Sequence, residues 1–335
     1  MKRPVKIKFQ NGLSFEWSVN EILSELIKEY EFINSDTPDY VVFGPYGNDL
    51  PPEGNYVRIG YFCENIVPDL SICEWAFGVP LEQDINNPRY KRIQWHGIAP
   101  SSLIKQTDYN PEKILASKTK FCNFLYSHKV PYREAFFSQL SKYKKVDAPG
   151  RSMNNMPGID SIYAGNKWDI KKQFLSEYKF TIAFENDIFP GYQTEKLYDA
   201  MQADSIPIYY GDPFIGDVFN TKSFINAPEY LPQKNHWLGL NIKTMGQMDF
   251  EDMRPAFLKS PKNRIKRKIK SYLREYKTRL QFNKMDFGPL IEQVIALDSE
   301  PERYLQYLEQ PWFKNNIIPE NSSTKKRWME IFNSR

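Results

Sequence analysis

No stretch of this 335-residue chain approaches the roughly 18 consecutive apolar residues of a membrane span. The opening Met1-Lys2-Arg3-Pro4-Val5-Lys6-Ile7 has a basic end but no apolar signal core, so the expected location is the cytoplasm. Cysteine is scarce. Cys63, Cys73 and Cys122 cannot all pair and show no zinc-ligand spacing, which fits a reducing compartment. Neither sign of charge dominates: the formal net charge is +4, whereas a nucleic-acid binder would show a strong basic excess on one face. Internal repeats and low-complexity tracts are missing as well. His96 and His236 have no partner pattern that would suggest a triad or a metal site.

What the chain has is the composition of a folded protein, 41% apolar and 26% charged, with aromatics at 15%. The first reading of those aromatics is core packing. The second is a sugar site, where Tyr and Trp stack on pyranose faces while their polar tips hydrogen-bond. Trp17, Trp75 and Trp95 are candidates for such stacking, and Glu74 is a candidate for binding acceptor hydroxyls. The length suits two domains. The first third alternates as an open α/β sheet does. Val5 to Phe9, Tyr40 to Phe43, Tyr56 to Phe62 and Ile72 to Val79 read as strands, and Asn20 is expected to cap a helix carrying Ile22, Leu23, Leu26, Ile27 and Tyr30 on one face. Residues from about Ala99 to Lys118 lose periodicity and read as a connection. Alternation then resumes with a strand at Phe121 to Tyr126 and a helix opened by Pro131. A long loop follows at Gly150 to Gly165, then a strand at Phe180 to Phe184, a helix from Thr194 and a strand at Ile206 to Tyr210. The expected domains are 1–113 and 114–300, with 301–335 as a tail packing back on the first. Open α/β sheets bind ligands at the carboxyl ends of their strands, so two such units imply a cleft lined by those ends.

The segment Phe184-Glu185-Asn186-Asp187-Ile188-Phe189-Pro190-Gly191-Tyr192-Gln193-Thr194-Glu195-Lys196 carries the most chemistry. A buried strand ends in a carboxylate and an amide, a Gly/Pro loop turns, and a helix begins. Helix starts offer free backbone N–H groups and partial positive charge. Glu195 suits that end, but Lys196 does not unless an anion sits between it and the helix. A diphosphate would supply one, and Glu195 could then accept hydrogen bonds from ribose. Arg133, in the first turn of the Pro131 helix, repeats the pattern with the side chain that grips phosphate bidentately. Glu64, in the loop after Tyr56 to Phe62, could take a proton from an attacking hydroxyl. Each also has a plain reading as a solvated surface charge.

Tyr-x-Thr-Glu-Lys, six residues after Phe-Glu-Asn and followed by Ile-Pro-Ile-Tyr-Tyr-Gly, resembles the signature of the α-1,3-fucosyltransferases, the bacterial Helicobacter-type Lewis-antigen enzymes among them. That resemblance implies a GT-B architecture of two facing Rossmann-like domains and an inverting transfer of L-fucose from GDP-β-L-fucose to GlcNAc O3, or O4, of LacNAc or Lewis-type glycans. It implies Glu64 as general base with Tyr61 nearby, Arg133 and Lys196 on the diphosphate, Tyr192 hydrogen-bonded to it, Glu195 on the ribose and Asn186 on the nucleotide-sugar. Glu185 matches the motif without a derived role. Asp-x-Asp occurs nowhere in the chain, so GDP-fucose is expected as a co-substrate with no cofactor and no tightly bound metal. The departures are a short interval between Glu64 and Arg133 and no heptad repeat near the C-terminus. Two alternatives stay open: a glycosyltransferase with another nucleotide-sugar, and a nucleic-acid-binding protein using the basic run Lys262 to Arg279. That run places Ile265, Ile269, Tyr272, Leu273 and Tyr276 at helical spacing. It reads first as a domain helix with a solvated basic face, and second as a weak contact with the inner face of an anionic membrane.

Overall fold

Val5, Ile7 and Phe9 are buried while Lys6 is exposed, the period-two pattern that makes β1 (Arg3–Gln10) a strand with one covered face. A computed structural model describes residues 2–64, 66–94, 100–231, 248–282, 285–319 and 323–334. Asn65, Trp95, His96 and His236 lie outside the described residues, as do the side chains of Lys277 and Arg279. After β1 come α1 (Phe15–Glu21), β2 (Tyr30–Asn34), β3 (Tyr40–Phe43), β4 (Val57–Phe62), β5 (Ile66–Val67), β6 (Trp75–Gly78), α2 (Glu82–Ile85) and β7 (Tyr90–Arg92). Next are α3 (Pro111–Ser117), β8 (Lys120–Asn123), α4 (Pro131–Leu140), β9 (Val146–Asp147), α5 (Lys167–Ser176), β10 (Tyr178–Phe184), α6 (Glu195–Gln202), β11 (Ile206–Tyr210) and β12 (Ile225–Asn226). The last described elements are β13 (Met248–Asp249), α7 (Phe250–Met253), α8 (Pro261–Phe282), α9 (Gly288–Ser299), α10 (Pro301–Glu309) and α11 (Lys325–Asn333).

The first sheet has the order β2-β1-β3-β4-β6-β7 and the second β12-β11-β10-β8-β9, with parallel pairing throughout both. Numbered within its own sheet, the first runs 2-1-3-4-5-6 and the second 2-1-3-4-5, so each reverses direction once, between β1 and β3 and between β8 and β10. Side chains alternate faces. In the first sheet Ile7, Tyr40, Val42, Ile59, Tyr61 and Phe77 pack on Trp328, Ile331 and Phe332 of α11, while Phe43, Phe62 and Ala76 turn to the other face and meet Phe250 of α7. In the second sheet Phe121, Phe180, Ile182 and Ile208 share a core with Phe136 of α4, Leu290 and Val294 of α9, and Tyr304 of α10.

This packing redraws the expected domains. Residues 1–98, 237–280 and 320–335 form one compact unit, and residues 99–236 and 281–319 the other. The boundary read at 113/114 moves to 98/99, because the aperiodic stretch holds α3. Asn110 caps this helix by accepting from Lys113 N at 2.9 Å, and its Ile114 and Leu115 pack on the second core. The late helices divide between the units according to which sheet face their apolar residues cover, and local composition carries no mark of that. The helix expected from Asn20 to Tyr30 is also corrected. The α-helix ends at Glu21, a 3₁₀ turn at Ser24–Leu26 buries Leu23 and Leu26, and Tyr30 opens β2, leaving Ile27 43% exposed. In α8 the periodic apolar residues are not a packed stripe: Ile265 is 61% and Tyr272 60% exposed.

Candidate active site

In the second unit the sheet reverses between β8 and β10, where an open α/β sheet leaves room for a ligand. Glu185 leaves the carboxyl end of β10 with its backbone N–H on Tyr210 O at 2.8 Å. Its carboxylate is fully buried. It accepts from Thr194 N at 2.9 Å, Thr194 Oγ1 at 2.7 Å and Lys196 Nζ at 3.3 Å. Room for it comes from Gly211, where a Cβ would stand 2.5 Å from Glu185 Cγ. Burial raises the Glu185 pKa, with Lys196 and Thr194 opposing. Burial alone would lower the Lys196 pKa, but facing Glu185 and Glu195, the latter at 3.5 Å, it ends above its ordinary value. Glu195 is likewise raised by burial, but Lys196 and Lys171 overcome this and leave it lowered. The cation at the start of α6 is therefore matched by protein carboxylates, so a ligand anion is not required to account for it. Glu185 thereby gains a role: it binds the first residues of α6 and anchors Lys196.

Arg133, third residue of α4, is 1% exposed, far from the solvated charge of the plain reading. Its Nη1 donates to Asn186 Oδ1 at 2.9 Å, its Nη2 to His128 O at 2.8 Å, and its guanidinium lies 4.0 Å from the Tyr126 ring centroid. Nε is buried without a partner among the described residues. Tyr132 beside it donates to Glu185 O. Arg133, Asn186, Glu185, Lys196 and Glu195 thus form one connected cluster. Tyr192 lies on the adjoining loop with its ring buried. That loop is held by Asp212, which sequence reasoning missed. Its Oδ1 accepts from Gly191 N at 2.9 Å, where φ is +83°, and its Oδ2 from Gln193 Nε2 at 2.7 Å. The signal was present, since Gly211-Asp212 ends β11 as Glu185-Asn186 ends β10.

In the first unit Glu64 follows β4 at the carboxyl end of its strand, and Tyr46 donates a hydrogen bond to its Oε1 at 2.7 Å. The other calls in this unit are corrected. Tyr61, expected beside the base Glu64 and in contact with the donor, is 3% exposed and packs on Phe77 at 6.1 Å, because strand alternation turns it to the face covered by α11. Glu74 and Trp75, expected at an acceptor site, lie at the amino end of β6, the edge opposite to the one where parallel sheets bind ligands. Glu74 is taken up by Arg58, whose Nη2 and N–H donate to it at 2.6 Å each, and Trp75 lies 5.1 Å from the Arg327 guanidinium.

Two family models match the chain: glycosyltransferase family 10 (fucosyltransferase), C-terminal part, over residues 115–246, and the N-terminal domain of α-(1,3)-fucosyltransferase FucT over residues 7–97. The chain is 37% identical over 114 residues to the α-(1,3)-fucosyltransferase FucT of Helicobacter pylori, a match covering 34% of this chain and 22% of that protein. It is 34% identical over 87 residues to GDP-fucose protein O-fucosyltransferase 3 of Bos taurus, covering 25% of this chain and 18% of that one. The match thus spans about a fifth of each relative's length. A crystal structure of α1,3-fucosyltransferase with GDP-fucose shares the fold at a TM-score of 0.60 and 21% identity, over 100% of this chain and 90% of that chain. The fold class is accordingly the GT-B type.

Proposed function

Because the chain belongs to glycosyltransferase family 10, the fucosyltransferases, we propose that it moves L-fucose from GDP-β-L-fucose to a hydroxyl of N-acetylglucosamine, O3 or O4, in LacNAc or Lewis-type glycans, with inversion at the anomeric carbon. The observation that carries this reading is the connected cluster at the carboxyl end of β10, where Arg133 holds Asn186 and Glu185 holds Lys196. Similarity to structures of α1,3-fucosyltransferase with GDP and with GDP-fucose supports the choice of donor. In the reaction Glu64 takes the proton of the acceptor hydroxyl, whose oxygen attacks fucose C1 from the side opposite the nucleotide. The bond from C1 to the β-phosphate oxygen breaks, and its electron pair leaves with GDP. Arg133, Lys196 and the N-terminal end of α6 stabilise that charge by fixed electrostatics, and Glu195 binds the ribose.

A second acceptor class, a protein hydroxyl, is favoured by the similarity to the bovine protein O-fucosyltransferase. Product analysis with type 1 and type 2 disaccharides and with a Ser/Thr peptide decides between the two. Turnover against a panel of nucleotide-sugars tests the donor, and transfer from a different sugar would remove GDP-fucose. Glu64→Gln is expected to lower transfer by about two to four orders of magnitude while leaving GDP affinity unchanged, the pattern of an interaction made mainly in the transition state. A fully active variant would place the base elsewhere. The enzyme also contacts an anionic membrane surface through α8. Exposure of Ile265, Ile269, Tyr272 and Tyr276 on one face, amid Lys262, Arg264, Lys266 and Lys268, supports that contact.

A further inference from the structure

The first sheet reverses between β1 and β3, and the loops that leave those strands are built around one side chain. Asn11, after β1, is buried at φ +56°. Its Nδ2 donates to Gly44 O at 2.6 Å, and its Oδ1 accepts from Asp49 N at 3.0 Å. Gln10 Nε2 adds a bond to Asp49 O at 2.7 Å. The loop after β3 is thereby closed over the end of β1 and pinned at both ends. Gly12, at φ +94°, lies where a Cβ would come 2.8 Å from Tyr46 Cβ, so a glycine is needed for the tyrosine to sit down on it. Gly47, at φ +130°, would put a Cβ 2.7 Å from Asn11 Oδ1. Two left-handed glycines, a left-handed asparagine and three hydrogen bonds converge on the placement of Tyr46. The ring is nonetheless 47% exposed, so burying it is not what the loop accomplishes.

What the loop does is deliver the Tyr46 hydroxyl to Glu64 Oε1 at 2.7 Å. We propose that Tyr46 is the positioning residue of the general base: it fixes one oxygen of Glu64 so that the other, Oε2, is aimed to receive the acceptor proton. A glutamate after a strand has three side-chain torsions, and a base that swings among rotamers is in reach of its proton for only part of the time. A hydroxyl donor suits the task because it bonds the ionised, proton-accepting form of the carboxylate. The Tyr46 hydroxyl is itself pushed above its ordinary pKa by burial and by Glu64, so it remains a donor at neutral pH. The exposed ring beside Glu64 would also border the acceptor sugar, on the ligand-binding edge of the sheet.

The inference rests on Glu64 being the base, and the test separates the two. Tyr46→Phe, made in the full chain, removes the hydroxyl and keeps the ring. Its kcat should fall at least about tenfold, the lower end of the weight of one hydrogen bond to a charged group. GDP affinity and both KM values should stay within about twofold. In a Glu64→Gln background the same change should have no further effect, since the group it positions no longer accepts a proton. A wild-type kcat for Tyr46→Phe beside a disabled Glu64→Gln overturns the positioning role and leaves the base standing. Equal losses in both backgrounds overturn it too, because they mean that Tyr46 acts independently of Glu64. An active Glu64→Gln removes the base assignment and this proposal together.

Discussion

Lys196 occupies the first turn of α6, where the helix dipole opposes a cation, and the structure resolves that conflict with Glu185 on one side and Glu195 on the other. The arrangement is a buried ion pair whose members fix each other, so removing one charges the site in two ways. Lys196→Ala and Arg133→Ala should each weaken GDP binding by roughly 10- to 150-fold, the value of a charge-assisted contact of about 1.5–3 kcal/mol. Calorimetry on folded variants measures this, and unchanged affinity in both would end the case for an anion clamp. Lys196→Ala should also melt at a lower temperature, because it leaves the Glu185 carboxylate buried without its cation. Glu185 itself was visible in the sequence as a motif member without a task. Its task became legible once Thr194, before α6, and Gly211, after β11, were seen to stand against it.

Among the elements, α11 carries consequences out of proportion to its length. Trp328 is fully buried and stacks on Phe77 with ring centroids 4.2 Å apart, and Phe332 meets Tyr40 at 5.0 Å. It closes one face of the first sheet, and large aromatic deletions of that kind cost about 3–5 kcal/mol. Trp328→Ala should lower the unfolding free energy of the first unit by that amount in urea titrations, while GDP binding by the second unit persists. A loss under about 1 kcal/mol would mean that the helix is dispensable to that core. The helix α8 behaves in the opposite way, with its apolar residues outward. Sedimentation should find the protein with vesicles containing anionic lipid and not with neutral ones, and replacing Ile265, Ile269 and Tyr272 by Ser should abolish the association. If the triple variant still binds, charge alone is responsible; if the parent chain never binds, α8 is a solvated basic helix.

For the whole molecule the chemistry is expected to run on side chains and helix ends. Transfer should persist in EDTA, and stimulation by added Mn²⁺ would be compatible with that, whereas activity lost in EDTA and restored by Mn²⁺ would show that the clamp needs a metal. Local order decided what could be read in advance. β1, β3, β4, β10 and β11 were legible because strand alternation and Gly/Pro punctuation act over a few residues. The motif from Phe184 to Lys196 was legible because a strand end, a turn and a helix start are contiguous there. The edge strand β2 was lost, since Leu23, Leu26 and Tyr30 keep a helical spacing while the backbone passes through a 3₁₀ turn into the sheet. Glu74 and Tyr61 were misplaced because spacing names a strand but not which end or face of it meets a ligand. By itself the sequence determined the two α/β units, the strand-turn-helix segment from Phe184 to Lys196 and the residue types at its ends, all of them set by interactions within about a dozen positions. The division of the late helices between the units, the bond from Arg133 to Asn186, and the hold of Tyr46 on Glu64 were decided by tertiary structure alone, because each joins groups that only the closing of a sheet brings together.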